Sequence, residues 1–106
     1  MTIDKEKYIG KALTKLFIEQ GFFDRTKHNS DYEVVGYGAN NQHLLYLVGI
    51  TNSGVKHPVF GKKRLKYIEN LLNSKIDTSR DKCNLYLTTE QIDNLYTLLK
   101  LKGDII

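Results

Sequence analysis

The spacing of apolar residues predicts a first helix over residues 4–20. One side of this segment is apolar at intervals of three and four residues, the period of a helix with one buried face. This stripe consists of Ile9, Ala12, Leu13, Leu16 and Phe17. Thr2 or Asp4 is suited to cap the start of the helix, and Gly21 is expected to end it.

Two further helices follow from the same pattern. The second is predicted over residues 61–73, after the break at Pro58. Its inward stripe is Leu65, Ile68 and Leu72. The third begins at Thr88, because Thr88 and Gln91 have the three-residue spacing of a capping box. Its buried positions are Ile92, Leu95, Tyr96 and Leu99, and Gly103 is expected to end it.

Strands are predicted between the helices. Residues 32–37 and 43–50 flank the turn sequence at 38–41, which is the pattern of a β-hairpin. The second arm is apolar on both faces, with Leu44, Tyr46, Val48 and Ile50 on one and Leu45 and Leu47 on the other. We therefore expect a central strand, either covered on both faces or flanked by neighbours. A third strand is predicted at 83–87, and polar loops at 24–31 and 74–82.

These elements predict an α+β protein with the order α-β-β-α-β-α. The expected architecture is a small three-stranded sheet, made of the hairpin plus one crossover strand, packed with three helices. A right-handed crossover is favoured if the second and third strands share a sheet. At 106 residues and 12.2 kDa, residues 1–106 are expected to form a single compact domain.

Composition narrows the class of protein. There is no run of about 18 apolar residues of the kind that spans a membrane, and the first residues lack the layout of a secretory signal. We therefore expect a cytoplasmic protein that does not interact with membranes. Cys83 is the only cysteine, which excludes an intramolecular disulfide.

The sequence gives little sign of catalysis, and we predict no cofactor, no metal site and no catalytic residue. His28, His43, His57 and Cys83 lack the short spacing of local metal ligands. A metal-dependent nuclease site would need acids on one strand and an acid and a lysine on the next. The first arm of the hairpin has Asp31 and Glu33, but the second arm has neither acid nor lysine. The glycines at 36 and 38 do not lie between a strand and a helix, as a phosphate-binding loop requires.

The distribution of charge is the most distinctive feature. Residues 34–68 contain no Asp or Glu but carry five cations, Lys56, Lys62, Lys63, Arg64 and Lys66. The remaining residues hold 11 basic and 12 acidic groups, so the net charge of +4 originates in this segment. Three of the cations fall in the first turn predicted for the second helix, where the helix dipole disfavours positive charge. Such a placement favours contact with an external anion over a purely structural role.

Nucleic acid is the anion that this segment fits best, because neutralised phosphates release counterions. The leading hypothesis is a small non-enzymatic DNA- or RNA-binding protein, such as an accessory factor of a phage or mobile element. The predicted contact residues are Lys56, His57, Lys62, Lys63, Arg64 and Lys66 in the basic segment, with Tyr37, Asn40 and Asn41 at the hairpin. A merely solvated basic face is the simpler interpretation of the same residues.

Two alternatives remain open. A protein-interaction module, such as an inhibitor or immunity protein, would use the same basic segment against a nucleic-acid-processing enzyme with an acidic or phosphate-binding surface. A metal-independent ribonuclease toxin would use Lys62, Arg64, His57 and Tyr37. The order of helices and strands gives the toxin hypothesis no support, so we rank it last.

Overall fold

The computed structural model describes residues 4–23, 31–51, 53–81 and 83–105. The elements are α1 (Lys5–Glu19), β1 (Asp31–Ala39), β2 (Gln42–Thr51), β3 (Gly54–Lys56), α2 (Lys62–Leu72), β4 (Asn84–Leu87) and α3 (Thr89–Ile105). The predicted α+β class and the order of its three helices and three strands are confirmed. The three-residue β3 is an additional strand that the sequence did not predict. Residues 24–30 of the predicted polar loop lie outside the described residues.

Side-chain caps fix the starts of two helices. Asp4 accepts a hydrogen bond from the Lys7 amide at 3.1 Å and caps α1, one of the two caps predicted. Thr88 and Gln91 form the predicted capping box at α3, with reciprocal bonds of 2.9 and 3.1 Å. Gly103 does not end α3, which continues to Ile105.

Strand β2 is the centre of an antiparallel sheet. Strand β1 pairs with it along one edge, while β3 pairs with residues 49–51 and β4 with residues 43–46 on the other edge. Strand β3 ends at Lys56 because continuation of its register would place Pro58, which has no amide proton, opposite Leu47. Since β2 and β4 run antiparallel, the right-handed crossover rule for parallel strands does not apply to the connection between them.

The hairpin turn is tighter than predicted. Strand β1 continues through Gly38 and Ala39, so only Asn40 and Asn41 form the turn. Both have positive φ, 52° and 63°, as a two-residue turn matched to the twist of the strands requires. Asparagine tolerates this conformation better than most residues, which gives both residues a structural role.

Helix α1 lies against β1 at very short range. Gly10 and Gly36 meet at the contact, where a Cβ atom on Gly10 would come within 2.8 Å of the Gly36 nitrogen. The Val34 amide donates to the Thr14 hydroxyl at 2.8 Å, and that hydroxyl donates to the Gly10 carbonyl at 2.7 Å. Helix α1 therefore satisfies a polar group on the edge of β1 that faces away from β2, where an unpaired amide would be costly.

All three helices contribute to one core on one face of the sheet. The buried residues are Ile9, Leu13, Phe17, Phe23, Val34, Leu45, Leu47, Phe60, Ile68, Ile76, Leu85, Leu87, Ile92, Leu95 and Leu99. The strand residues among them belong to one face, because Val34 pairs with Leu47 and Leu45 pairs with Leu85. The sheet and the helices thus form two layers.

Replacement of Gly36 tests the contact between the layers. In the Gly36→Ala variant the added methyl group would overlap the Glu6 backbone carbonyl, so we expect a loss of about 3 kcal/mol in the free energy of unfolding. Denaturant titration followed by circular dichroism measures it. Gly38→Ala is the matched comparison and should cost less, since the nearest atoms to its Cβ belong to the Glu6 carboxyl group, at 2.8 Å, and not to the Glu6 backbone. Equal stability of wild type and Gly36→Ala would contradict this close approach.

Candidate functional site

The predicted basic residues are not equivalent in the structure. Lys62 and Lys63 are exposed in the first turn of α2, Lys66 is exposed one turn further on, and Lys56 is exposed at the end of β3. The N-cap of α2 is Gly61, which has a φ of 91° and forms no side-chain cap. Two exposed lysines thus stand at a helix start that no carboxylate caps, which leaves them available to a solvent-borne anion.

Arg64 is instead built into the fold. Its Nη1 and Nη2 donate to the carbonyls of Phe60 and Phe22 at 3.1 and 2.8 Å, and its guanidinium lies 5.3 Å from the centre of the Phe23 ring. Burial lowers the pKa of Arg64, although an arginine remains a cation. Its donors join the segment after α1 to the segment before α2, so Arg64 differs from its lysine neighbours.

Lys56 and the hairpin tip lie at opposite ends of the sheet. Lys56 pairs with Gly49, whereas the turn at Asn40 and Asn41 adjoins Gln42. Seven residues of extended strand separate these two positions on β2, a distance of about 23 Å. The nine residues predicted to contact a ligand therefore do not converge on one compact site.

The structure exposes a different surface, the side of the sheet away from the helices, which we call the open face. Among the described residues, none of its side chains belongs to the buried core. The apolar and aromatic members of the open face are Val35, Tyr37, Leu44, Tyr46, Val48, Ile50, Val55 and Tyr86. Tyr37, Ile50 and Val55 are 54%, 55% and 64% exposed. Exposed large apolar side chains grouped in this way are typical of a binding surface.

Three tyrosines are grouped on the half of the open face nearer the hairpin tip. Tyr37 pairs with Leu44 and Leu44 pairs with Tyr86, which separates the two tyrosines by two strand spacings, about 10 Å. Tyr46 lies two residues from Leu44 on the same face, about 7 Å along the strand. The three rings thus surround one leucine on a sheet surface.

Cationic and imidazole groups flank these tyrosines. The Arg80 guanidinium lies 5.1 Å from the centre of the Tyr86 ring, and the His57 ring lies 5.9 Å from that of Tyr46. Of the predicted contact residues, Tyr37 and His57 are therefore associated with the open face. Arg80 and Tyr86 were not predicted, because their relevance depends on strand pairing that local spacing does not encode.

A groove of about 490 Å³ lies between the start of α2 and β4. Its walls include Val59, Lys62, Leu65, Thr78 and Leu85. Lys62 therefore lies near β4 on the helix side of the sheet, because Leu85 belongs to the core, whereas Tyr86 is on the open face.

A cluster of polar side chains lies at the end of the sheet that carries the hairpin turn. His43 on β2 places Nδ1 2.5 Å from a Glu6 carboxylate oxygen and Nε2 3.1 Å from the Thr89 hydroxyl. The three residues come from β2, α1 and α3. His43 is 37 positions from Glu6 and 46 positions from Thr89 in the chain, so no local motif signals the cluster.

Within the described parts of the chain, no group of three or more His, Cys, Asp or Glu residues is arranged to hold a metal ion. His43 and His57 belong to the separate environments described above, Cys83 is a half-buried free thiol, and His28 lies outside the described residues. The described helices include none that is long and apolar enough to cross a membrane.

No family model, curated protein or solved structure matches this chain. Its function is therefore inferred from its own residues and their arrangement.

The different roles of Arg64 and Lys63 are testable by stability. Arg64→Met retains an apolar stem but leaves the Phe22 and Phe60 carbonyls without their charged donor, so we expect a loss of about 2 kcal/mol. Lys63→Met removes an exposed cation and should change stability by less than about 0.5 kcal/mol. Both variants are compared by chemical denaturation. Equal effects of the two substitutions would show that Arg64 contributes no more to the stability of the fold than Lys63 does.

Proposed function

We propose that this protein is a cytoplasmic, single-stranded nucleic-acid-binding protein whose open face receives the bases. The observation that carries the proposal is the group of Tyr37, Tyr46 and Tyr86 on a sheet face that no described helix covers. Aromatic side chains on an open sheet stack on unpaired bases, and such stacking tolerates different sequences.

The flanking charges support the same ligand. Arg80 lies on the ring of Tyr86 on the open face, and Lys62 lies in the groove on the helix side of β4, so both cations are close to the β4 edge of the sheet. Lys63, Lys66 and Lys56 are exposed and belong to the acid-free segment 34–68. A phosphate backbone that follows this edge would gain affinity from release of its counterions.

The proposal changes the role of some residues first assigned to ligand contact. Asn40 and Asn41 have a conformational reason to occupy the turn, and Arg64 is engaged with the backbone of two other segments. We therefore assign base contact to the tyrosines and phosphate contact to the exposed lysines and Arg80.

The second candidate function is a protein-interaction module. The half of the open face away from the hairpin tip favours it, because Val48, Ile50 and Val55 are aliphatic and provide no ring for stacking. Glu33, which pairs with Val48, lies on the same face. Exposed apolar side chains grouped in this way are typical of protein-interaction sites. The basic residues would then contact an acidic rim on the partner protein.

Removal of one exposed ring tests the stacking role. Tyr37→Ala should weaken binding of a fluorescent single-stranded oligonucleotide about tenfold, the scale of one lost base–aromatic contact. Fluorescence anisotropy at low salt measures the affinity. Leu101→Ala, at a 58% exposed position on α3, is the control and should bind like wild type. If wild type binds no nucleic acid but forms a defined protein complex that Ile50→Glu abolishes, the second candidate function is correct.

The lysines are tested separately from the tyrosines. The combined substitution of Lys56, Lys62 and Lys63 by Gln should reduce the slope of log affinity against log salt by about 2, since each phosphate contact on a single strand contributes about 0.7. Tyr37→Ala should leave that slope unchanged. A slope identical to that of wild type in the triple variant would exclude these lysines from phosphate contact.

A further inference from the structure

Glu6, His43 and Thr89 form a chain of side chains in the order carboxylate, imidazole, hydroxyl. The Glu6 carboxylate and Nδ1 of His43 are 2.5 Å apart, and Nε2 of His43 and the Thr89 hydroxyl are 3.1 Å apart. We propose that this cluster is a hydrolytic site in which His43 activates Thr89 as a nucleophile toward small carboxylic esters. This activity is independent of the nucleic-acid-binding function proposed above.

The proton positions suit this role. An ionised Glu6 carboxylate only accepts hydrogen bonds, so Nδ1 of His43 carries the proton that joins them. In neutral His43 the lone pair on Nε2 then accepts the Thr89 hydroxyl proton. This is the arrangement in which an oriented imidazole acts as the general base for an alcohol nucleophile.

The exposure of the three groups also suits the role. The side chains of His43 and Glu6 are only 17% and 13% exposed, whereas Thr89 is exposed. The orienting carboxylate is therefore shielded from water, which strengthens its hold on the imidazole, while the hydroxyl remains accessible to a substrate. A histidine that served only to join α1 to β2 would need the Glu6 contact but not the contact with an exposed hydroxyl.

The surroundings provide a place for the reacting carbonyl group. Thr89 is the first residue of α3, and the amides of a first helical turn lack partners within the helix. Thr88 accepts a hydrogen bond from the third of these amides, that of Gln91, and the preceding two belong to Thr89 and Glu90. Such amides, at the positive end of the helix dipole, stabilise a developing oxyanion.

A cleft of about 280 Å³ adjoins the cluster. Its lining includes His43, Thr88, Tyr86, Arg80 and Asp77. This volume accommodates a small acyl group, and Arg80 and Asp77 offer both a cation and a carboxylate to the polar part of a substrate.

The proposed reaction has two balanced steps. In the first, the Thr89 oxygen attacks the ester carbon and its proton passes to Nε2 of His43. The bond to the leaving alcohol then breaks, and the alcohol takes that proton. In the second, His43 removes a proton from water as the water attacks acyl-Thr89, and it returns this proton to the threonine oxygen as the acid departs.

Covalent labelling tests the nucleophile directly. A fluorophosphonate probe should phosphonylate Thr89, with loss of fluoride, and peptide mass spectrometry should locate the adduct. Thr89→Ser should be labelled at the same position, whereas Thr89→Ala should lose that adduct. Thr97→Ala is the matched control on the same helix, because the Thr97 hydroxyl contacts only the Asp93 carbonyl among the described residues, and it should be labelled like wild type.

The base and its orienting residue are tested by the rate of labelling. His43→Gln should slow labelling of Thr89 by at least about 100-fold, the contribution expected of a general base. Glu6→Gln should slow labelling, and Glu6→Asp should restore part of the rate. Circular dichroism establishes that each variant is folded.

Two results would overturn the proposal. One is a folded wild-type protein in which Thr89 is labelled no faster than Thr97. The other is a folded His43→Gln variant that labels Thr89 at the wild-type rate. Wild type and Thr97→Ala should also hydrolyse p-nitrophenyl acetate, whereas Thr89→Ala should not.

Discussion

The contact between α1 and β1 is the constraint on which the rest of the structure depends. Gly10 and Gly36 allow the two backbones to approach, and Thr14 satisfies the Val34 amide at the edge of β1. With α1 fixed in this position, α1, α2 and α3 all contribute to a core on one face of the sheet. The opposite face keeps its tyrosine and aliphatic side chains free of any described helix.

The same contact connects the two functional proposals. Gly36 lies directly against the Glu6 backbone, and the Glu6 side chain reaches His43 at the start of β2. The close approach of α1 to β1 therefore also places the Glu6 carboxylate next to the His43 imidazole. The tyrosine surface and the Glu6–His43–Thr89 cluster meet near the hairpin tip, where Tyr86 and His43 line one cleft.

The sequence predicted those features that depend on local patterns. The apolar stripe of α1, the Thr88–Gln91 capping box and the hairpin of β1 and β2 each depend on residues close together in the chain, and each appears in the structure. The open face was not predicted, because apolar residues on both faces of β2 fit a strand covered on both faces equally well. The cluster around His43 and the backbone contacts of Arg64 join residues far apart in the chain, so only the tertiary fold brings them together. Lysine and arginine also count equally as charges in a sequence, whereas in the structure Arg64 is half-buried and Lys63 is exposed.

The most direct test of the account is a map of the ligand on the protein surface. Backbone amide signals of the ¹⁵N-labelled protein would be followed by NMR as a single-stranded oligonucleotide is added. Binding on the open face would give the largest shifts along β1, β2 and β4 around Tyr37, Tyr46 and Tyr86, with smaller shifts near Lys62 and with little change at the buried helix positions Leu13 and Leu95. Shifts confined to α2, or to the helical layer in general, would contradict the claim that the open face is the binding surface.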